Sequence, residues 1–230
     1  MVIVKILSLD EFAKIIDHTN LRPNATSSEI ARTVKEAKIY NFRGVCVPLI
    51  HVPLARKILQ ESDIKIVTVV GFPFGNNPTE IKVRESQIAA DWGADEIDMV
   101  MNISFFKSGL KDKVLDDIKS VIESSGLPVK VIIETSYLTE DEIAEASRLV
   151  AKSGAFCIKT NTGFGARGVS LDDVRIIRDS VKEGIMIKAS GGIKDINFAL
   201  ALIERGANII GASAGVELYQ SYKKILEKRL

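Results

Sequence analysis

Short runs of apolar, β-branched residues recur along the whole chain. Each stops at a polar or glycine-containing stretch, and each is followed by a segment whose apolar positions have helical spacing. That alternation predicts repeated strand–helix units. The runs cover residues 15–18, 44–48, 65–70, 96–101, 129–134, 156–160, 185–189 and 208–212, eight predicted strands. Helices are expected over 28–40, 51–60, 79–92, 111–125, 139–152, 171–180, 193–205 and 214–228. Val129-Lys-Val-Ile-Ile-Glu134 and Ile66-Val-Thr-Val-Val70 are nearly all apolar, as strands covered on both faces of a parallel sheet must be.

The punctuation agrees with this reading. Ser27 and Ser170 stand one step before helical runs, and Thr139 is followed three residues on by Glu142, the spacing of a capping box. Gly93, Gly126, Gly154, Gly184 and Gly206 each fall just past a predicted helix, where a left-handed residue ends the turn. Eight βα units favour a closed (β/α)8 TIM barrel over an open doubly wound sheet. No linker or low-complexity segment interrupts the pattern, so a single domain over residues 1–230 is expected.

Composition narrows the function classes. The 31 Lys+Arg against 30 Asp+Glu leave a net charge of +1, without the basic excess that phosphate-backbone binding requires, so no nucleic-acid partner is expected. No apolar run approaches the roughly 20 residues of a membrane span. Residues 1–9 lack a signal-peptide cleavage site, so a soluble, cytoplasmic protein is expected. Cys46 and Cys157 lie inside apolar runs and read as buried free thiols. His18 and His51 form no His-rich cluster, which argues against a zinc site.

In a barrel of this kind, active groups sit where the strands end. Asp17, Asp98, Glu134, Lys159 and Lys188 occupy or close apolar runs in that way. The two lysines are the sharpest signal, because a cation at the end of a buried strand must be paired, snorkelling or tuned for chemistry. Period-2 alternation places Lys159 on the face of Cys157 and Lys188 on that of Met186; if both faces point inward, the ammonium groups are neighbours. A nearby cation and desolvation both lower a lysine's pKa and free its lone pair for attack on a carbonyl. The alternative is a buried salt bridge from one lysine to Asp98 or Glu134.

Glycine-rich ends follow these lysines. Ser190-Gly191-Gly192 precedes a helix expected from Ile193, and Gly211-Ala-Ser213 precedes the last helix. Backbone N–H groups at such helix starts bind phosphate. Gly163-Phe-Gly-Ala-Arg-Gly168 matches a dinucleotide fingerprint, but the next strand ends in Lys188 rather than in the acidic residue that would hold a ribose.

Several segments together resemble the deoxyribose-phosphate aldolase family. They are Asp17-His-Thr-Asn-Leu21, Val45-Cys-Val-Pro48, Gly93-Ala-Asp-Glu-Ile-Asp98, Lys130-Val-Ile-Ile-Glu134, Phe156-Cys-Ile-Lys-Thr160, Lys188-Ala-Ser-Gly-Gly192 and Gly211-Ala-Ser213. The resemblance implies a class I aldolase that reversibly cleaves the sugar phosphate 2-deoxy-D-ribose 5-phosphate to acetaldehyde and D-glyceraldehyde 3-phosphate, without metal or cofactor. It implies Lys159 as the Schiff-base lysine, Lys188 as the lysine that perturbs it and Asp98 as the proton-transfer carboxylate. Substrate contacts fall to Asp17, Thr19, Cys46, Thr160 and Gly163, and a phosphate cradle to Gly191, Gly192, Gly211 and Ser213. A homo-oligomer is implied as well, with Trp92, Tyr219 and Tyr222 as the aromatic residues to inspect for exposed patches.

Three positions depart from the family's pattern: Asn161 and Ala214 stand where serine is common, and Phe164 where some relatives have lysine. Phosphate affinity and substrate range are what these changes put at issue. Two competing readings are a Schiff-base barrel aldolase with another aldehyde acceptor, and a sugar-phosphate-binding barrel without turnover.

Overall fold

A computed structural model describes residues 7–181 and 184–228; the rest of the expected 1–230 domain lies outside the described residues. The chain runs Leu9–Ala13 (α1), Ile16–Thr19 (β1), Ser27–Ile39 (α2), Gly44–Cys46 (β2), Val52–Ile58 (α3), Lys65–Val70 (β3), Thr79–Asp91 (α4), Glu96–Val100 (β4), Ile103–Lys107 (α5) and Lys111–Ser125 (α6). It continues through Val129–Ile132 (β5), Glu140–Lys152 (α7), Cys157–Lys159 (β6), Leu171–Ser180 (α8), Met186–Ser190 (β7), Ile196–Glu204 (α9), Ile209–Ala212 (β8) and Gly215–Glu227 (α10). The strands pair in sequence order, all parallel, and β1 closes on β8 through Asp17 opposite Gly211. The fold is a (β/α)8 barrel with its helices packed outside.

Buried aliphatic side chains on the outer strand faces meet the helices. Ile16, Val45, Ile66, Ile97, Val131, Ile158, Ile187 and Ile210 are fully buried. Side chains on alternate positions point into the barrel, and there the register brings polar groups together: Asp98 pairs with Lys130, and Lys159 with Lys188.

The strand ends differ from expectation in informative ways. The fifth strand stops at Ile132 because Glu134, expected to close it, adopts a left-handed backbone at φ 51°. α9 begins at Ile196, capped by Asp195, rather than at Ile193. The cap of α2 is Thr26, not Ser27, whereas Ser170 and Thr139 cap as expected. Two five-residue helices, α1 and α5, were not expected. The first had a readable signal, because Ser8 and Glu11 form a capping box.

Trp92 is exposed, but Tyr222 is buried with its ring 4.4 Å from Phe12, and Tyr219 packs at 5.1 Å from Tyr40. Neither tyrosine forms an exposed patch. Among the described residues, no helix is long and apolar enough to cross a membrane.

Candidate active site

The C-terminal ends of the strands surround a cavity of about 610 Å³. Lys159, Thr19, Gly163, Gly191, Gly192, Gly211 and Ser213 all line it, so the structure gathers these sequence-predicted residues into one site. Beneath Lys159 lies a charged cluster. Asp98 accepts hydrogen bonds from three lysines: Lys130 Nζ at 2.9 Å on Oδ1, and Lys159 Nζ at 2.8 Å and Lys188 Nζ at 2.9 Å on Oδ2. Lys188 also reaches Asp17 Oδ2 at 2.5 Å, and Arg43 bridges Asp17 to Glu96. Glu96 in turn pairs with Lys130 at 2.6 Å.

The two readings of the strand-end lysines therefore coincide: both are neighbours, and both are ion-paired to Asp98. Only Lys159 also faces the cavity. The cluster holds four cations (Arg43, Lys130, Lys159 and Lys188) against three carboxylates (Asp17, Glu96 and Asp98). Burial alone would raise the Asp98 carboxyl, but Lys130, Lys159 and Lys188 overcome it and hold the group well below the usual carboxylate range. Burial would likewise weaken the Lys188 ammonium, yet Asp17 and Asp98 keep it above the ordinary lysine value. Lys188 is thus a fixed cation.

Space for this cluster is reserved by glycine. A Cβ on Gly211 would stand 2.8 Å from Lys188 Cε, and one on Gly44 would stand 2.9 Å from Asp17 Oδ1. Gly211 consequently serves the lysine as well as the cavity wall.

Three expected substrate contacts lie behind the cavity instead of lining it. Asp17 is fully buried among Lys188 and Arg43. Cys46 is buried with Sγ 4.0 Å from Asp98 Oδ2, and burial, together with that carboxylate, pushes its thiol up to about 11. Thr160 braces two strand ends, its Oγ1 donating to Ser190 O and accepting from Ser190 N, both at 3.0 Å. Asp17 and Cys46 point into the barrel behind the cavity, whereas Thr160, next after the inward Lys159, points outward and ties its strand end to that of β7.

Sequence reading missed Lys130, Glu96, Arg43, His18 and Glu36. The first two were legible as charges embedded in buried strands. Arg43 carries no such mark, since only the closed barrel turns it onto Asp17.

Asn161 turns away from the cavity. Its Nδ2 donates to Glu134 Oε1 at 2.9 Å and its Oδ1 accepts from Thr135 at 3.1 Å, while Glu134 also accepts from the Thr162 backbone at 3.0 Å. The longer amide braces the loop after β6. Asn161, one of the departures that put phosphate affinity and substrate range at issue, thus braces this loop and does not line the cavity. Phe164 does line the cavity, with its ring edge-on to Phe72 at 5.5 Å.

Around the far wall, Gly191 and Gly192 take positive φ values of 101° and 78°, turning backbone toward the cavity. α10 starts at Gly215 with Ala214 as its N-cap and no side-chain cap, so the amides of its first turn remain free for an anion. α9 offers no such site, because Asp195 caps it. Lys194, Arg22 and Arg32 add positive charge at the rim.

The cluster has a consequence for acid stability. Burial opposes ionisation of Asp17, but Lys188, Lys130 and Arg43 bring it down to about 2. A depressed carboxyl stabilises the fold above its unfolded pKa, and that contribution is lost as pH falls through the folded value. Asp17 should therefore contribute about 2 kcal/mol that is present above roughly pH 4 and disappears toward pH 2. Urea unfolding from pH 5 to pH 2 should show stability holding and then falling in that window; a flat profile down to pH 2 would contradict the assignment.

A parallel (β/α)8 barrel carrying a cavity-facing lysine on a buried lysine–carboxylate cluster defines the Schiff-base class of barrel enzymes, a class that forms covalent imines with carbonyl substrates. Residues 12–221 match the model of the DeoC/LacD family of aldolases, and the chain belongs to that family. A relative from Thermoanaerobacter sp. (strain X514), named deoxyribose-phosphate aldolase, is 46% identical over 93% of this chain and 97% of its own. Among solved structures, QR15, an aldolase, superposes with a TM-score of 0.90 at 40% identity, covering 94% of this chain and 97% of the other. The tetrameric deoxyribose phosphate aldolase from Aeropyrum pernix does so at 0.88 and 30% identity, covering 95% and 93%.

Proposed function

We propose that this chain is a class I aldolase that reversibly cleaves 2-deoxy-D-ribose 5-phosphate to acetaldehyde and D-glyceraldehyde 3-phosphate. The observation that carries the reading is Lys159: of the lysines contacting Asp98, it alone lines the cavity. Its neutral amine attacks the C1 aldehyde carbon, and the carbinolamine loses water to give an iminium. The C3 hydroxyl gives up its proton, the C2–C3 bond breaks, and its electron pair moves into the iminium to form an enamine. Glyceraldehyde 3-phosphate leaves. Protonation at C2 and hydrolysis release acetaldehyde and restore Lys159.

Asp98, bonded to both Lys159 and Lys188, takes and returns protons in the carbinolamine and enamine steps. It becomes more basic whenever Lys159 carries no charge, because part of what depresses it is then gone. Lys188, held between Asp17 and Asp98, is the fixed cation beside Lys159. Gly191, Gly192, Gly211, Ser213 and the open first turn of α10 form the phosphate cradle, with Thr19 and Gly163 nearer the sugar.

Borohydride reduction with acetaldehyde tests the reading. An ethyl adduct on Lys159 is expected. No adduct would leave the sugar-phosphate-binding barrel without turnover, and an adduct without cleavage of deoxyribose 5-phosphate would leave an aldolase with another acceptor. A second measurement addresses Ala214. Ala214→Ser supplies the missing hydroxyl at the head of α10, and should raise the preference for deoxyribose 5-phosphate over deoxyribose by up to about 10-fold in kcat/KM. An unchanged ratio would mean that this position does not serve the phosphate.

We also read the chain as a cytoplasmic homo-oligomer. The tetrameric relative and the exposed Trp92, Ile39 and Ile81 support association.

A further inference from the structure

His18 is the one residue among those described whose buried side-chain nitrogen lacks a partner. It lies on the outer face of β1, alternating with the inward Asp17 and Thr19, and its side chain is only 4% exposed. Its Nε2 stands 2.8 Å from Glu36 Oε2 on α2. A carboxylate only accepts, so Nε2 carries the hydrogen and, in the neutral ring, Nδ1 is a bare lone pair. That Nδ1 is buried and meets no donor. Orphaned buried acceptors are rare enough in native proteins to call for an explanation.

The surroundings supply one. A Cβ built on Gly215, the first residue of α10, would stand 2.7 Å from Nδ1 and 3.2 Å from Ile16 Cγ2. The ring is therefore wedged against the opening turn of α10, and the Phe42 ring lies 5.5 Å away. α10 is also the helix that begins beside the cavity with no side-chain cap. A lone pair facing the positive end of a helix is electrostatically favourable, and it occupies none of the amides that an incoming anion needs. His18, Glu36, Ser213, Val216 and Glu217 all line the same cavity.

We propose that His18, oriented by Glu36, is a positioning residue for phosphate specificity: it seats the uncapped first turn of α10 so that its amides face the phosphate. The proposal rests on the aldolase reading above. His18 acts through the helix, from the outer face of β1. Its loss should therefore separate phosphorylated from unphosphorylated substrate, which a general weakening of the barrel would not do.

The experiment compares wild type, His18→Leu, His18→Asn and Glu36→Ala, using kcat/KM for deoxyribose 5-phosphate and for deoxyribose, and inhibition by inorganic phosphate. Removing the lone pair in His18→Leu should lower the ratio of the two kcat/KM values by about 5- to 10-fold and weaken phosphate inhibition by the same factor. The change should fall mainly in KM. His18→Asn, whose amide oxygen replaces the Nδ1 acceptor, should recover most of the ratio. Glu36→Ala, at a more exposed position, should shift it in the same direction by less, and serves if the leucine variant does not fold. Equal losses on both substrates, an unchanged ratio, or an asparagine variant no better than leucine would each overturn the proposal. Wild-type protein that cleaves neither substrate would overturn the aldolase reading instead. Calorimetric affinity for inorganic phosphate in the same variants would then still decide the role of His18.

Discussion

Lys159→Ala should lower kcat/KM for deoxyribose 5-phosphate by about 1,000-fold or more, because Lys159 is the cavity-lining amine bonded to Asp98. The fold should survive the change. Removing Lys159 leaves Arg43, Lys130 and Lys188 opposite Asp17, Glu96 and Asp98, so the buried charges balance. The truncated side chain opens onto the existing cavity and creates no sealed void. Circular dichroism and the thermal midpoint should stay close to wild type while borohydride trapping disappears. Activity above about a hundredth of wild type would remove Lys159 from the centre of the mechanism, and trapping on Lys188 in the intact enzyme would exchange their roles.

Asp98→Asn is expected to damage both activity and stability, unlike Lys159→Ala. Three lysines donate to this carboxylate. An amide there keeps one acceptor atom and removes a negative charge from a cluster that already has more cations than carboxylates. Breaking one side of a buried ion pair costs about 3–5 kcal/mol, a large part of a domain's usual margin of about 5–15 kcal/mol. Urea unfolding should reveal a loss of that order, and turnover should fall by about 100-fold or more as proton transfer slows. Full stability with slow turnover would confine Asp98 to chemistry, whereas destabilised protein with near-normal turnover would reduce it to an ion-pair partner. Both effects are expected because one carboxylate holds the lysines and moves their protons.

The motif residues at strand ends were legible because barrel strands deliver their last inward side chains to one face, so a polar residue that stops an apolar run marks the site. Lys159, Gly163, Gly191, Gly192, Gly211 and Ser213 were found on that principle or on the family pattern, and they line the cavity. Cys46 and Thr160 came from the pattern alone, and Asp17 from the strand-end principle as well. A family pattern records that a position matters without recording its depth, and these three side chains are fully buried and do not line the cavity. Asn161 read as a possible change in phosphate affinity, whereas its side chain spans from Glu134 to Thr135 and fixes the loop.

By itself the sequence determined the eight βα units, their order and the two strand-end lysines, because hydrophobic period, capping residues and glycine stops are local properties that need no partner to be read. Tertiary structure alone decided which charges meet. Barrel closure brings Asp17 of β1 to Lys188 of β7 and turns Arg43 toward Glu96, contacts that span 171 and 53 residues. It also sets His18 against Gly215. Electrostatic energy depends on distances of a few ångströms and on exclusion of water, and neither exists until the strands have closed.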